Sequence, residues 1–153
     1  MTGPGAGRPG LRNRGRRLLD LAANLGDAFD LYRSLGHRLG EAETLSNLGV
    51  LIRSTGDYTA AEATSRQALE IFRDLGDRPY QAWVLNDLGM VQQLTGDHKA
   101  AAASHQRALE LFRDLGNRLG QARSAEQAWR ASDPDPGHQP GPRLAHPDAG
   151  HRP

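Results

Sequence analysis

The sequence predicts an all-α protein, a solenoid of antiparallel helix pairs, and three observations carry that prediction. Short elements recur at a fixed period, the apolar residues between them fall at helical spacing, and prolines avoid the repeating stretch. Arg33-Ser-Leu-Gly-His-Arg38, Arg73-Asp-Leu-Gly-Asp-Arg78 and Arg113-Asp-Leu-Gly-Asn-Arg118 stand at one constant interval, and the same interval separates Leu48-Gly49 from Leu88-Gly89. Aligning 31–70 on 71–110 without a gap gives 17 identities. A fixed period of this length marks units that bury their apolar faces only by stacking on their neighbours. Of the 9 prolines, Pro79 alone lies between Pro9 and Pro134. Because proline removes a backbone donor and clashes inside a helix, this distribution separates a helical middle from two flanks.

Taken in order, residues 1–15 read as a disordered arm of Gly, Pro and Arg. Residues 16–131 hold the repeats, in units of about 16–36, 37–76, 77–116 and 117–131. In the first unit Leu21, Ala28, Tyr32 and Leu35 match the second helix of later units, while the partner helix would fall on the Gly- and Pro-rich arm; this is a half-unit. The second unit has a first helix with a stripe at Ala42, Leu45, Leu48, Gly49 and Ile52, and a second helix with Ala61, Ser65, Ala68, Phe72 and Leu75. The third repeats this with Ala82, Leu85, Leu88 and Gly89, then Ala101, Ala108, Phe112 and Leu115. Gly56 and Gly76 fit the left-handed position that ends a helix, and Asp57 and Asp77 follow as caps for the next. Pro79 falls in a first turn, where its missing amide hydrogen costs little. From Leu119 a last first helix can form, with no second helix after it. Residues 132–153 carry six prolines and one aliphatic side chain larger than alanine, Leu144, and read as a disordered tail.

Composition excludes several functions. The chain has 153 residues, about one domain's length. Without cysteine it has no disulfide framework, thiol nucleophile or Cys-ligated zinc. No apolar run nears the ~18 residues of a membrane span, which makes the cytoplasm the expected location. The formal net charge of +1 conceals five arginines and no acid in residues 1–17, against a net −3 in 18–131. His37, His98, His105, His138, His146 and His151 show no metal-ligand spacing, and no serine, histidine or carboxylate has a third group to orient it. No Gly-Lys-Ser/Thr follows a glycine turn. The chain is therefore expected to be no enzyme and to need no cofactor or metal.

Leu-Gly in the first helix, Ala61 or Ala101 in the second, then Ala68-Leu69 or Ala108-Leu109, resemble the tetratricopeptide repeat (TPR). The 40-residue unit is similar to the variant in Pins-type polarity adaptors, kinesin light chains and the sensor regions of bacterial signal-transduction ATPases and transcription regulators. The resemblance covers roughly residues 16–131 and implies a right-handed TPR-like α-solenoid, here two complete repeats flanked by half-repeats. The sequence departs from the family's pattern where aromatics are usual: Leu45 and Leu85, Ile52 and Gln92, Ser65 and His105 stand there, with Gln92 a candidate for the solvent face.

The resemblance further implies a non-catalytic protein–protein interaction module whose peptide or protein ligand lies along a concave face lined by the first helices. In that register the binding residues would be Asn47, Val50, Arg53, Trp83, Asn86, Asp87, Met90 and Arg123. Asn47 and Asn86 offer backbone hydrogen bonds, Val50, Trp83 and Met90 apolar contact, and Arg53 and Arg123 charge selection. Trp83 fits equally a packing role between units. Arg33, Arg73 and Arg113, and likewise Arg38, Arg78 and Arg118, recur at helix ends near Asp74, Asp77 and Asp114 and are expected to form local ion pairs. Other readings are a detached or truncated sensor segment of a larger ATPase-type transcription regulator, or a nucleic-acid contact through the arginine arm. The half-units suggest a fragment or decayed copy of a longer repeat protein, or self-association through the open ends.

Overall fold

The structure is a computed structural model that describes residues 9–132, with side chains from residue 13 onward. The disorder expected of residues 1–8 and 133–153 falls outside the described residues. Six helices and no strand occur among the described residues: α1 Pro9–Ser34, α2 Arg38–Thr55, α3 Tyr58–Asp74, α4 Arg78–Leu94, α5 His98–Asp114 and α6 Arg118–Ser132. Each packs on the next, which makes a TPR-like α-solenoid of two complete helix pairs, α2/α3 and α4/α5, between the single helices α1 and α6.

Helix α1 starts at Pro9, not at Arg16. Proline is pre-set for the first helical position and lacks the amide hydrogen that would go unbonded there, and the arginines that follow are good helix formers. The later part of the arm is therefore helical despite its composition.

Every helix boundary between α1 and α6 is the same local device. Gly36, Gly56, Gly76, Gly96 and Gly116 all have positive φ and recur at an even spacing, twice in each period of the sequence. After four of them the next amide reaches back around the turn, as Asp77 N does to Phe72 O at 2.9 Å and Asn117 N to Phe112 O at 2.9 Å. That next residue then caps the following helix: His37 Nδ1, Asp57, Asp77, Asp97 and Asn117 each accept from the amide three positions on.

The core runs along the stack, built from Ala42, Leu45, Ala68, Leu69, Phe72, Ala82, Val84, Leu85, Leu88, Ala108, Leu111 and Phe112. Phe72 and Phe112 are fully buried, each stabilising by about 1.5–3 kcal/mol relative to an exposed ring. Small residues set the helix spacing. A Cβ on Gly120 would run into the Phe112 ring, and one on Gly40 into that of Tyr32. At the same register in the middle unit the residue is Tyr80, which stacks on Phe72 with ring centres 4.7 Å apart. Gln81 and Gln121 donate to the carbonyls of Phe72 and Phe112, at 3.0 and 3.3 Å.

Two of the six periodic arginines pair across a hairpin, whereas Arg33, Arg73, Arg113 and Arg118 make no ion pair among the described residues. Arg78 Nη2 lies 2.7 Å from Asp114 Oδ2 and Arg38 Nη2 lies 3.8 Å from Asp74 Oδ2, because antiparallel packing sets the start of each first helix beside the end of its second. These exposed pairs are worth at most ~1 kcal/mol.

Candidate functional site

Helices α2 and α4 touch, as do α4 and α6, whereas α1, α3 and α5 make no such contacts among themselves. The first helices are therefore the closer-spaced, inner layer of the stack, and their free side is its concave face.

On that face Asp87 of α4 pairs with one arginine and lies within electrostatic reach of a second. Arg53 Nη1 of α2 lies 3.8 Å from Asp87 Oδ1 and donates to Met90 Sδ at 3.4 Å; Arg123 of α6 also acts on the carboxylate. Burial of Asp87 pushes its pKa up, and the attraction of Arg53 and Arg123 pulls it back without cancelling the rise. The cluster thus carries one partly desolvated carboxylate and two guanidinium groups. Asn47 is exposed and makes no side-chain hydrogen bond to the described residues, Val50 and Met90 are half-buried, and Arg123 is exposed. Further along, Gln93 Nε2 donates to Gln127 O at 3.1 Å, and Arg130 pairs with Glu126 at 2.6 Å. Six of the eight expected residues, Asn47, Val50, Arg53, Asp87, Met90 and Arg123, thus line or border this face.

The other two turn inward. Trp83 packs edge-on against Phe112, with ring centres 4.7 Å apart, on the flank of the core; of its two readings, the structure shows packing. Asn86 is buried, with its Oδ1 accepting from Ser124 Oγ of α6 at 3.2 Å and facing His105 Nδ1 of α5 at 3.2 Å. Its oxygen is therefore unavailable to a ligand in the groove. Both lie near Asp87 on α4, toward the side on which α5 and α6 close against that helix.

Sequence reasoning missed the polar group around Asn86. Because an amide oxygen only accepts, His105 Nδ1 carries the proton, and Nε2 is left as a bare acceptor, buried without a partner. His105 is fully buried, and desolvation lowers its pKa to about 4. Its register opposite Gly89 was the available signal: a glycine leaves room there for a ring, and a Cβ on Gly89 would come within 2.6 Å of the imidazole. Gln92 is buried too, accepting from Ser104 Oγ at 2.7 Å, because a polar partner on α5 replaces the water it would otherwise need.

Of the arginines in the proposed nucleic-acid arm, Arg14, Arg16 and Arg17 are exposed on α1; Arg8 lies outside the described residues. Among the described residues no group of three or more His, Cys, Asp or Glu could hold a metal ion, and no helix is long and apolar enough to cross a membrane.

Residues 40–114 match the model of the tetratricopeptide repeat family. Repeats of that family in general mediate protein–protein interaction and are not catalytic. Among solved structures, the chain is similar to the crystal structure of BtubC (BKLC) from P. vanneervenii, with a TM-score of 0.58 and 21% sequence identity, over 88% of this chain and 64% of that one. The likeness is one of fold, and the chain spans somewhat less than two thirds of that structure's length. No curated protein matches the sequence.

Proposed function

We propose that the chain is a non-catalytic interaction module that takes an extended peptide or protein segment along the face of α2, α4 and α6, and that it selects acidic segments. The observation that carries this reading is the Arg53–Asp87–Arg123 cluster. A single carboxylate, already disfavoured in its charged form by burial, does not saturate two guanidinium groups. An incoming carboxylate can take bidentate hydrogen bonds from either arginine. Beside the cluster, Asn47 supplies a free amide that can donate to and accept from a peptide backbone. Val50 and Met90 provide the apolar floor, and the thioether adapts to different side chains.

A selection of random linear peptides on the wild-type chain tests this. The expected outcome is enrichment of Asp- and Glu-containing sequences, lost when Arg53→Glu is combined with Asn47→Ala. Asp87→Asn should tighten the same peptides several-fold, because it frees both arginines. Selected peptides that bind the double variant unchanged would overturn the inner-face reading.

A further inference from the structure

The joint of α4, α5 and α6 is built differently from the one before it. Asn86 of α4, His105 of α5 and Ser124 of α6 meet in the interior, all three buried, with Asn86 Oδ1 at 3.2 Å from Ser124 Oγ and at 3.2 Å from His105 Nδ1. One period earlier the same positions carry Ser46, Ser65 and Val84. Valine has no polar side-chain atom, so that joint has no equivalent bridge between its first helices. The difference matters for register. A buried hydrogen bond is satisfied at one relative setting of two helices, whereas apolar contacts tolerate small shifts.

The bridge ends one residue short of the groove on both sides. Asp87 follows Asn86, and Arg123 precedes Ser124. Helices α4 and α6 run parallel, because α5 between them is antiparallel to each. One residue advances about 100° around a helix. A step forward on α4 and a step back on α6 turn in opposite senses about two facing axes, so both lead to the same side of the seam. That side is the open one, where Asp87 is half-buried and Arg123 exposed. The same two steps separate the residues along the axes by about 3 Å, close enough for Arg123 to act on the carboxylate as it does. A second contact, Gln93 Nε2 to Gln127 O at 3.1 Å, ties the two helices further along. Its acceptor is a backbone carbonyl, so it does not depend on which side chains α6 carries.

We propose that Ser124, together with Asn86 and His105, is a positioning residue of the groove: its buried hydroxyl sets α6 at the register that holds Arg123 beside Asp87 and so makes Arg123 a determinant of acidic ligands. Ser124 itself touches no ligand. The role in ligand choice rests on the groove reading above; the register does not.

Titration of the Asp87 carboxyl by carbon-13 NMR, followed on native-state signals, tests the register without a ligand. The charged groups that act on Asp87 are Arg53 from α2 and Arg123 from α6, and His105 of α5 is common to all the proteins compared. Arg123→Gln should raise the Asp87 pKa, because one attracting cation is lost. Ser124→Ala removes only the hydroxyl and should raise it in the same direction by a comparable amount. Added to Arg123→Gln, Ser124→Ala should change it little further, since its effect passes through Arg123. Ile71→Val removes buried atoms from α3, away from this joint, and should leave Asp87 unmoved. An Asp87 pKa that ignores Arg123→Gln or Ser124→Ala, that moves equally with Ser124→Ala whether or not Arg123 is present, or that follows Ile71→Val as closely would overturn the proposal.

Acidic peptides selected on the wild type should bind Ser124→Ala about fivefold more weakly, with no further loss from Ser124→Ala once Arg123→Gln is present. Acidic peptides that bind Ser124→Ala unchanged would overturn the role in ligand choice. A selection that enriches no acidic peptide, with the Asp87 shifts as expected, would instead overturn the groove reading and leave the register standing.

Discussion

His105 faces Asn86 across the α4–α5 contact, Nδ1 to Oδ1 at 3.2 Å, while its Nε2 meets no partner in the interior. The imidazole is held as one tautomer in a place where it cannot accept a proton without exposing a charge to apolar surroundings.

This makes folding stability fall with acid. The folded pKa of about 4 lies below the ordinary 6.5, so the unfolded chain takes up the proton first. The stability is fully present above pH 6.5 and is lost as pH falls from 6.5 toward 4. At pH 4.5 the loss should reach about 2.5 kcal/mol. His105→Ser, patterned on Ser65, should cost about 2 kcal/mol at pH 7 by opening a cavity, yet its stability should decline less between pH 7 and pH 4.5 than that of the wild type. Urea denaturation of both proteins at the two pH values measures the difference.

Three glycines should respond differently to the same substitution. Gly26→Ala meets nothing within 4 Å and should stabilise α1 by up to ~1 kcal/mol through helix propensity. Gly89→Ala drives a methyl against the buried His105 ring and should destabilise by about 2 kcal/mol. Gly49→Ala faces the Ser65 hydroxyl at 2.8 Å, a small group that can rotate, and should fall between them. Thermal melts of the three variants would establish the order.

Trp83→Ala should act on stability. With Phe112 stripped of its edge-on neighbour, a loss of about 3 kcal/mol is expected, while Arg53, Asp87 and Arg123 keep their positions. Peptides selected on the wild type should bind the folded fraction of this variant within about twofold of their original affinity, a difference worth ~0.4 kcal/mol. A large loss of binding from the folded fraction would return Trp83 to the groove.

The solenoid was legible because its signals are local and repeated. Glycine at a left-handed position, a capping side chain after it, and a stripe at helical spacing each report on a few neighbouring residues, and the constant register of the units multiplies them. The start of α1 was hidden because Gly10 and Gly15 mask a run whose arginines favour a helix. The burial of Asn86 was missed, and the two readings of Trp83 left undecided, for a different reason. Both lie on the same helix as Asp87, and only the approach of α5 and α6 decides which side of α4 remains open. Likewise nothing local marks Gln92 as buried, since its partner Ser104 stands in the following helix. Contacts between helices, unlike helix boundaries, depend on residues that the period alone does not pair.

The five evenly spaced glycine turns also bear on how such a chain can change over generations. Gly36-His37 and Gly76-Asp77 open equivalent helices with the same backbone geometry. A recombination that joins the coding sequence before one to that after the other would remove one unit or add one without creating a new kind of junction. The array can thus vary in length by whole units while every helix keeps its start and stop, and the surface it presents can grow or shrink without a redesign of its parts.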